Sequence, residues 1–216
     1  MRRNVDLNEI SDGKLYTSND MVKADCYDCQ GCSACCRGMG KSIILDPIDL
    51  FHLKQATGKD FAGLLNQEIE LNVVDGMILP NLKMDPFLDE NGRCRIHTFR
   101  TGICRLFPLG RLYEEEGFRY FLLTKECRKE NRGKVKVKKW LGIPNLKSYE
   151  KYISDWHQFL LTCEEAMIEL EKENIQILTT YILRLFYQTP YEAADDQAFY
   201  QEFYERREQV RKKLGI

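Results

Sequence analysis

Apolar residues in the first third of the chain recur at a spacing that predicts two short helices. The first is predicted over residues 46–58, because Asp46 is a favourable N-cap, Pro47 fits the first helical position and Gly58 ends the pattern. The second is predicted over residues 60–66, where the apolar side chains share one face. Both helices precede segments with a different period.

Alternation of apolar and polar residues in the middle of the chain predicts β-hairpins. Residues 69–82 alternate on both sides of Asp75-Gly76, a pair that is typical of two-residue turns. Residues 109–113 and 118–124 form a second predicted hairpin, and a short turn between extended pieces is predicted within residues 87–96. We therefore expect a small, irregular β core.

The two ends of the chain differ in pattern. Residues 1–25 show no clear period and are predicted to form an irregular arm with a turn at residues 18–20, followed by a cysteine loop over residues 26–40. After a break at residues 142–144, apolar residues recur at helical spacing as far as Lys213. This stretch predicts two or three helices packed on the cysteine-rich part.

These elements predict an α+β fold, with a small irregular cysteine-rich core and short hairpins followed by a C-terminal helical region. A chain of 216 residues accommodates one domain with such an extension. We expect a cysteine-cluster metal-binding domain over residues 1–145 and a helical extension packed on it over residues 146–216.

Composition and charge argue against a membrane or nucleic-acid partner. The formal net charge is −1, and no apolar run approaches the ~20 residues that span a bilayer. Residues 125–139 hold eight basic residues, a run that suits RNA, an acidic partner or a solvated face. Trp140 is the one aromatic residue beside them, so stacking on bases has little support and we favour a solvated face. The first residues lack the apolar segment of a signal peptide, which predicts a cytoplasmic protein.

The candidate chemistry of the chain is concentrated in its cysteines. Five of the nine fall within eleven residues, at Cys26, Cys29, Cys32, Cys35 and Cys36. Sulfurs at every third position converge on one point when a metal ion or an iron–sulfur cluster holds them. This spacing predicts a thiolate metal centre.

Two other interpretations account less well for the cluster. A disulfide framework conflicts with the odd cysteine count and the predicted cytoplasmic setting, and a bond between Cys35 and Cys36 would be strained. Closely spaced thiols without a metal would be prone to oxidation. Four thiolates suit one tetrahedral zinc ion or one cubane cluster, so zinc and iron–sulfur remain alternatives.

Three later cysteines follow in an order that resembles a known family. Cys94 and Cys104 bracket the stretch Cys-Arg-Ile-His-Thr-Phe-Arg-Thr-Gly-Ile-Cys-Arg-Leu-Phe-Pro, and Cys127 precedes a Gly-Ile-Pro sequence. Together with the Cys-x-x-Cys-x-x-Cys-Cys motif at residues 29–36, this order resembles the YkgJ-type cysteine-cluster family of zinc- or iron-chelating proteins. The resemblance covers approximately residues 26–145.

The resemblance implies a set of metal ligands, and this sequence departs from the family pattern at three positions. His97 stands where the family has Tyr, Thr101 stands where it has Pro, and Asp85 stands where many relatives carry a further Cys. A carboxylate can replace a thiolate as a ligand, although Asp85 is equally well interpreted as a turn residue. The candidate ligands are Cys29, Cys32, Cys35, Cys36, Cys94, Cys104, Cys127 and Asp85. Because this set exceeds one centre, we expect two centres, or one cluster with further thiols close to it.

The remaining candidate residues have simpler interpretations. Cys26 lies outside the family motif, and a surface thiol is the favoured interpretation over a spare ligand or a redox partner. Cys163 is predicted to be a small core residue. His52 and His157 are predicted to be ordinary helix residues, and His97 is the better candidate for a ligand or for a donor to a ligand. Arg95, Arg100 and Arg105 lie beside Cys94 and Cys104 in the sequence. We expect them either to lower the pKa of these thiols or to pair with carboxylates.

The sequence carries no nucleotide-binding, hydrolase or metalloprotease signature. We therefore expect a metal-binding protein with a redox or accessory role that acts with another protein. The resemblance implies an alternative, because some relatives are flagellin lysine N-methylases that use S-adenosylmethionine, although the chain has no glycine-rich methyl-donor loop. A third hypothesis is a structural zinc module whose helical part binds a protein.

Overall fold

A computed structural model describes residues 6–27, 32–39, 43–84 and 86–215. Its mixture of helices and short antiparallel strands confirms the α+β class. The helices are α1 (Leu7–Ile10), α2 (Ala34–Gly38), α3 (Pro47–Thr57), α4 (Phe61–Gln67), α5 (Gly102–Leu106), α6 (Val137–Leu141), α7 (Leu146–Met167), α8 (Lys172–Leu183) and α9 (Asp196–Leu214). The strands are β1 (Ser11–Tyr16), β2 (Met21–Asp25), β3 (Ile69–Val74), β4 (Met77–Leu82), β5 (Leu109–Tyr113), β6 (Phe118–Leu123) and β7 (Gly133–Lys136). A 3₁₀ turn covers His97–Phe99, and a π-helical stretch over Arg184–Gln188 follows α8.

The described strands form three small antiparallel sheets. One sheet has the strand order β1-β6-β5, and the other two are the ribbons β2–β7 and β3–β4. The two predicted hairpins, β3–β4 and β5–β6, are confirmed. Asp75 and Gly76 have φ values of 48° and 81°, which is the turn that the sequence predicts between Val74 and its partner Met77.

The prediction of an irregular N-terminal arm is wrong for residues 6–25. Strand β1 pairs with β6, with Ser11 opposite Leu123, and strand β2 pairs with β7, with Asp25 opposite Gly133. Both pairings contain a register shift. Burial does not alternate along β1, which leaves no period-two pattern to find there, whereas it does alternate along β2. The turn at residues 18–20 is confirmed.

The two helices predicted before the first hairpin are confirmed. Helix α3 follows the N-cap Asp46 and ends at Gly58, which adopts a left-handed conformation with φ of 69°. Helix α4 begins after Asp60, whose carboxylate accepts a hydrogen bond from the Gly63 N–H at 2.8 Å. Capping residues that act within one turn therefore fix both helices locally.

The C-terminal part contains three long helices, α7, α8 and α9, which agrees with the predicted two or three. Side chains three or four residues apart on α7 face the main core, and the Tyr152 and Phe203 rings lie 4.6 Å apart there. The Tyr187 hydroxyl donates to the Leu45 carbonyl at 3.0 Å. These contacts join helices α7–α9 to α3 and to the ribbon β3–β4 in one apolar core.

A second, smaller core lies beneath the ribbon β2–β7 and helix α6. It includes Val22 and Ala24 of β2, Tyr120 of β6 and Val137 of α6. The lysines of the basic run lie exposed on β7 and α6, as predicted, while the apolar residues between them are buried or half-buried. None of the described helices is both long and apolar enough to cross a membrane.

Candidate metal centre

One cavity of about 120 Å³ gathers most of the cysteines in the chain. The wall includes Leu82 and Phe87 from the main core and Trp140 from α6. The cysteines that line it are Cys26, Cys32, Cys35, Cys36, Cys94, Cys104 and Cys127. No disulfide bond joins any two of the eight cysteines that the structure describes. The cavity is therefore a thiol-lined site rather than a disulfide framework.

Five separate segments carry these thiols. Helix α2 carries Cys35 and Cys36, and Cys94 lies in an isolated antiparallel bridge with Leu88. Helix α5 carries Cys104, and Cys127 lies in the loop between β6 and β7. Cys32 belongs to the same segment as α2, since it lies just before that helix, and Cys26 directly follows β2. A metal centre bound here would join segments that are up to about a hundred residues apart in the sequence.

A buried carboxylate positions the helix that carries Cys104. The Asp49 Oδ1 atom accepts a hydrogen bond from the Gly102 N–H at 2.7 Å, and Oδ2 accepts one from the Asp46 N–H at 2.9 Å. A Cβ atom on Gly102 would lie 2.5 Å from the Tyr149 hydroxyl oxygen, so glycine alone allows this close approach. Asp49 thus fixes the start of α5 against α3.

Main-chain carbonyls next to α5 are held by two long side chains. The Arg105 guanidinium donates to the carbonyls of Arg100, at 3.1 Å, and Thr98. The Trp140 indole N–H donates to the Phe107 carbonyl at 3.2 Å. Arg105 therefore supports the backbone around the 3₁₀ turn, a role that the sequence did not predict.

The thiols of Cys36, Cys94 and Cys104 influence one another electrostatically in the cavity. Burial is the largest cause that raises the pKa of Cys104 to about 12, and Cys36, Asp49 and Cys94 contribute to the same rise. Burial also raises the pKa of Cys94, Cys36 adds to this effect, and Arg100 and Arg95 oppose it. Mutual repulsion between thiolates is the condition that a bound cation relieves.

His97 is held by an arginine. Arg100 Nη1 lies 2.7 Å from His97 Nε2, and because arginine only donates, Nε2 is the acceptor. His97 and Arg100 both line the cavity. This contact favours a supporting role for His97 over direct ligation through Nε2, and it places the Arg100 charge beside the thiols, as the sequence suggested.

The other predicted residues have mixed outcomes. Cys29 and Asp85 lie outside the described residues, so their ligand roles stay predictions. The prediction of Cys26 as a surface thiol is wrong, because this residue is only 3% exposed and lines the cavity. The signal for its burial was present in the sequence, since Val22, Ala24 and Cys26 alternate as residues on one face of a strand do. Cys163 is a core residue, as predicted.

The two remaining histidines are packing residues, and two further residues that position the site have no signal in the sequence. His52 Nε2 lies 2.7 Å from Asp196 Oδ1, and the His157 ring stacks on Tyr113 with 3.6 Å between centroids, so both are packing residues on helices. Neither the role of Asp49 nor that of Arg105 was predicted from the sequence. Their partners are backbone groups on distant segments, which leave no local pattern.

The chemistry of the donor set fits a metal that prefers sulfur. Seven thiols with apolar surroundings suit zinc or an iron–sulfur cluster far better than calcium or magnesium, which take oxygen ligands. Within the described ranges, no group of three or more Cys, His, Asp or Glu side chains stands ready to hold an ion.

The fold and this site define a cysteine-rich α+β domain with a thiol-lined cavity. Residues 28–128 match the family model "CxxCxxCC: Putative zinc- or iron-chelating domain". Neither a curated protein nor a solved structure matches the chain. The match supports chelation of zinc or iron and specifies neither the metal nor the role. The methylase alternative and the protein partner stay predictions.

Proposed function

We propose that the cysteine cavity binds an iron–sulfur cluster or zinc through its thiolates and that this centre serves a redox or accessory role. The observation that carries the proposal is the convergence of seven described cysteines, from five segments, on one cavity within a zinc- or iron-chelating domain. The spacing Cys-x-x-Cys-x-x-Cys also occurs in proteins that bind iron–sulfur clusters, which favours iron–sulfur slightly over zinc.

The apolar core supports a functional metal over a purely structural one. The main core joins α3, the ribbon β3–β4 and helices α7–α9, and Cys163 is the one cysteine among its fully buried residues. A chain of 216 residues can bury enough apolar surface to fold without a metal. A centre that the core does not need for folding is available for chemistry or for recognition.

Charge at the cavity supports a protein partner of acidic character. Arg128 and Lys129 are exposed and line the cavity, with Glu126 as the acidic side chain beside them. The exposed lysines of β7 and α6 extend this basic surface. An acidic protein surface would be attracted to it, and the attraction would weaken as salt concentration rises.

The experiment is metal and acid-labile sulfide analysis, with a visible spectrum, on protein purified without oxygen. Iron with sulfide and a broad charge-transfer band is expected for a cluster, whereas zinc without colour would identify a zinc centre. The Cys32→Ala variant is expected to lose bound metal, and Cys163→Ala, which removes a buried thiol that does not line the cavity, is expected to retain it. Wild-type protein without zinc or iron would overturn the proposal.

A second measurement separates a functional centre from a structural one. The metal-free protein is expected to keep its helical circular dichroism and to unfold cooperatively, because the main core persists. Complete loss of folded structure on chelation would instead identify a structural zinc module.

A further inference from the structure

We propose that Cys26 is an additional metal ligand of the cavity, supplied by the end of strand β2 from outside the segment that matches the family model, residues 28–128. The inference rests on the proposed function, because it concerns the same cavity. It adds a ligand that lies outside the segment matched by the family model and outside the Cys-x-x-Cys-x-x-Cys-Cys motif.

Strand β2 and the turn after it fix the position of Cys26. Along β2, burial alternates, with Val22 1% exposed and Ala24 fully buried, and this alternation continues to Cys26. The Tyr27 N–H then donates to Asp25 Oδ1 at 2.9 Å, which is a turn closed by an aspartate side chain. The chain therefore turns directly after it has placed Cys26 inward.

Pairing with β7 brings a second cysteine segment to the same place. Asp25 lies opposite Gly133, and the loop that leads into β7 contains Cys127. Both Cys26 and Cys127 line the cavity. The ribbon β2–β7 therefore contributes two thiols, and a metal that binds Cys26 would tie this ribbon to the family motif.

Cys163 shows what a merely structural cysteine looks like in this fold. It is fully buried on α7, it does not line the cavity, and burial is the single cause that raises its pKa. Cys26 is buried to nearly the same degree but faces a cavity with six other described thiols. Burial alone does not explain that placement, whereas a role in binding metal does.

The experiment compares Cys26→Ala with Cys163→Ala in the full chain. Both variants remove one buried thiol, and alanine fits a small apolar site, so both should stay folded by far-UV circular dichroism. Metal-stripped protein is titrated with Co²⁺, whose sulfur-to-metal charge-transfer absorption increases with the number of bound thiolates. We expect Cys26→Ala to bind Co²⁺ at least about tenfold more weakly, with a weaker band, and Cys163→Ala to match wild type.

A thermal melt supplies a readout independent of the spectrum. A ligand that binds only the folded state raises the melting temperature, so metal should stabilise wild type and Cys163→Ala more than Cys26→Ala. Equal Co²⁺ affinity, band intensity and metal-induced stabilisation in the two variants would overturn the role of Cys26. If wild type itself bound no Co²⁺, zinc or iron, the proposed function would fail, and the inference with it.

Discussion

Replacing Asp49 tests whether this buried carboxylate positions the cysteine helix α5. In Asp49→Ala, the backbone N–H groups of Gly102 and Asp46 lose their acceptors, at 2.7 and 2.9 Å. Leaving a buried donor without a partner costs about 1–3 kcal/mol. Burial also raises the pKa of Asp49, which shows that the charged carboxylate is costly to bury. Removing it should therefore recover part of the lost free energy of unfolding. We expect a net decrease of about 2–4 kcal/mol in the free energy of unfolding.

The assay is thermal unfolding of metal-free protein, followed by circular dichroism. For a chain of this size, the decrease corresponds to a melting temperature lower by roughly 5–15 °C. Asp60→Ala is the matched control, because it removes one exposed carboxylate that accepts one backbone hydrogen bond, at 2.8 Å. A control loss of about 1 kcal/mol is expected. Equal losses in the two variants would show that the reasoning about Asp49 is wrong.

The same variant makes a prediction about the metal centre. Cys104 lies two residues after Gly102 on α5, so loss of the Asp49 contact should let this thiol move away from the others. Asp49→Ala should therefore bind Co²⁺ more weakly than Asp60→Ala does. Unchanged Co²⁺ affinity, together with the expected loss of stability, would confine the role of Asp49 to the fold.

Three further predictions concern the core that supports the site. Gly102→Ala should lower stability by about 1–3 kcal/mol in urea unfolding, because the new Cβ would lie 2.5 Å from the buried Tyr149 hydroxyl. Burial, together with the charge of Asp49, raises the pKa of Asp46 to about 7. The contribution of the Asp46 carboxyl to the free energy of unfolding is therefore full below pH ~4 and is lost as pH rises through ~7. Urea unfolding of Asp46→Asn should show less of this decline, and an equal decline would contradict it. Arg206→Lys should cost about 1–3 kcal/mol, since Arg206 donates to three main-chain carbonyls, and an unchanged melting temperature would contradict that.

The sequence by itself determined the elements whose signals act over a few residues. The caps Asp46 and Gly58 set the limits of α3, and the Asp75-Gly76 pair set the turn of the ribbon β3–β4. The Cys-x-x-Cys-x-x-Cys-Cys motif and the later cysteines likewise predicted the family resemblance, because their order and spacing can be read directly from the sequence.

Only the tertiary structure decided which distant segments meet. Strands β1 and β2 pair with β6 and β7, about a hundred residues later, and no local pattern identifies those partners. The pairing of β2 with β7 places Cys26 in the cavity wall, whereas the sequence predicted a surface thiol. Asp49 matters through a hydrogen bond to a backbone group 53 positions away. Local propensity carries no information about such contacts, because their stability depends on burial and partners that only the folded chain provides.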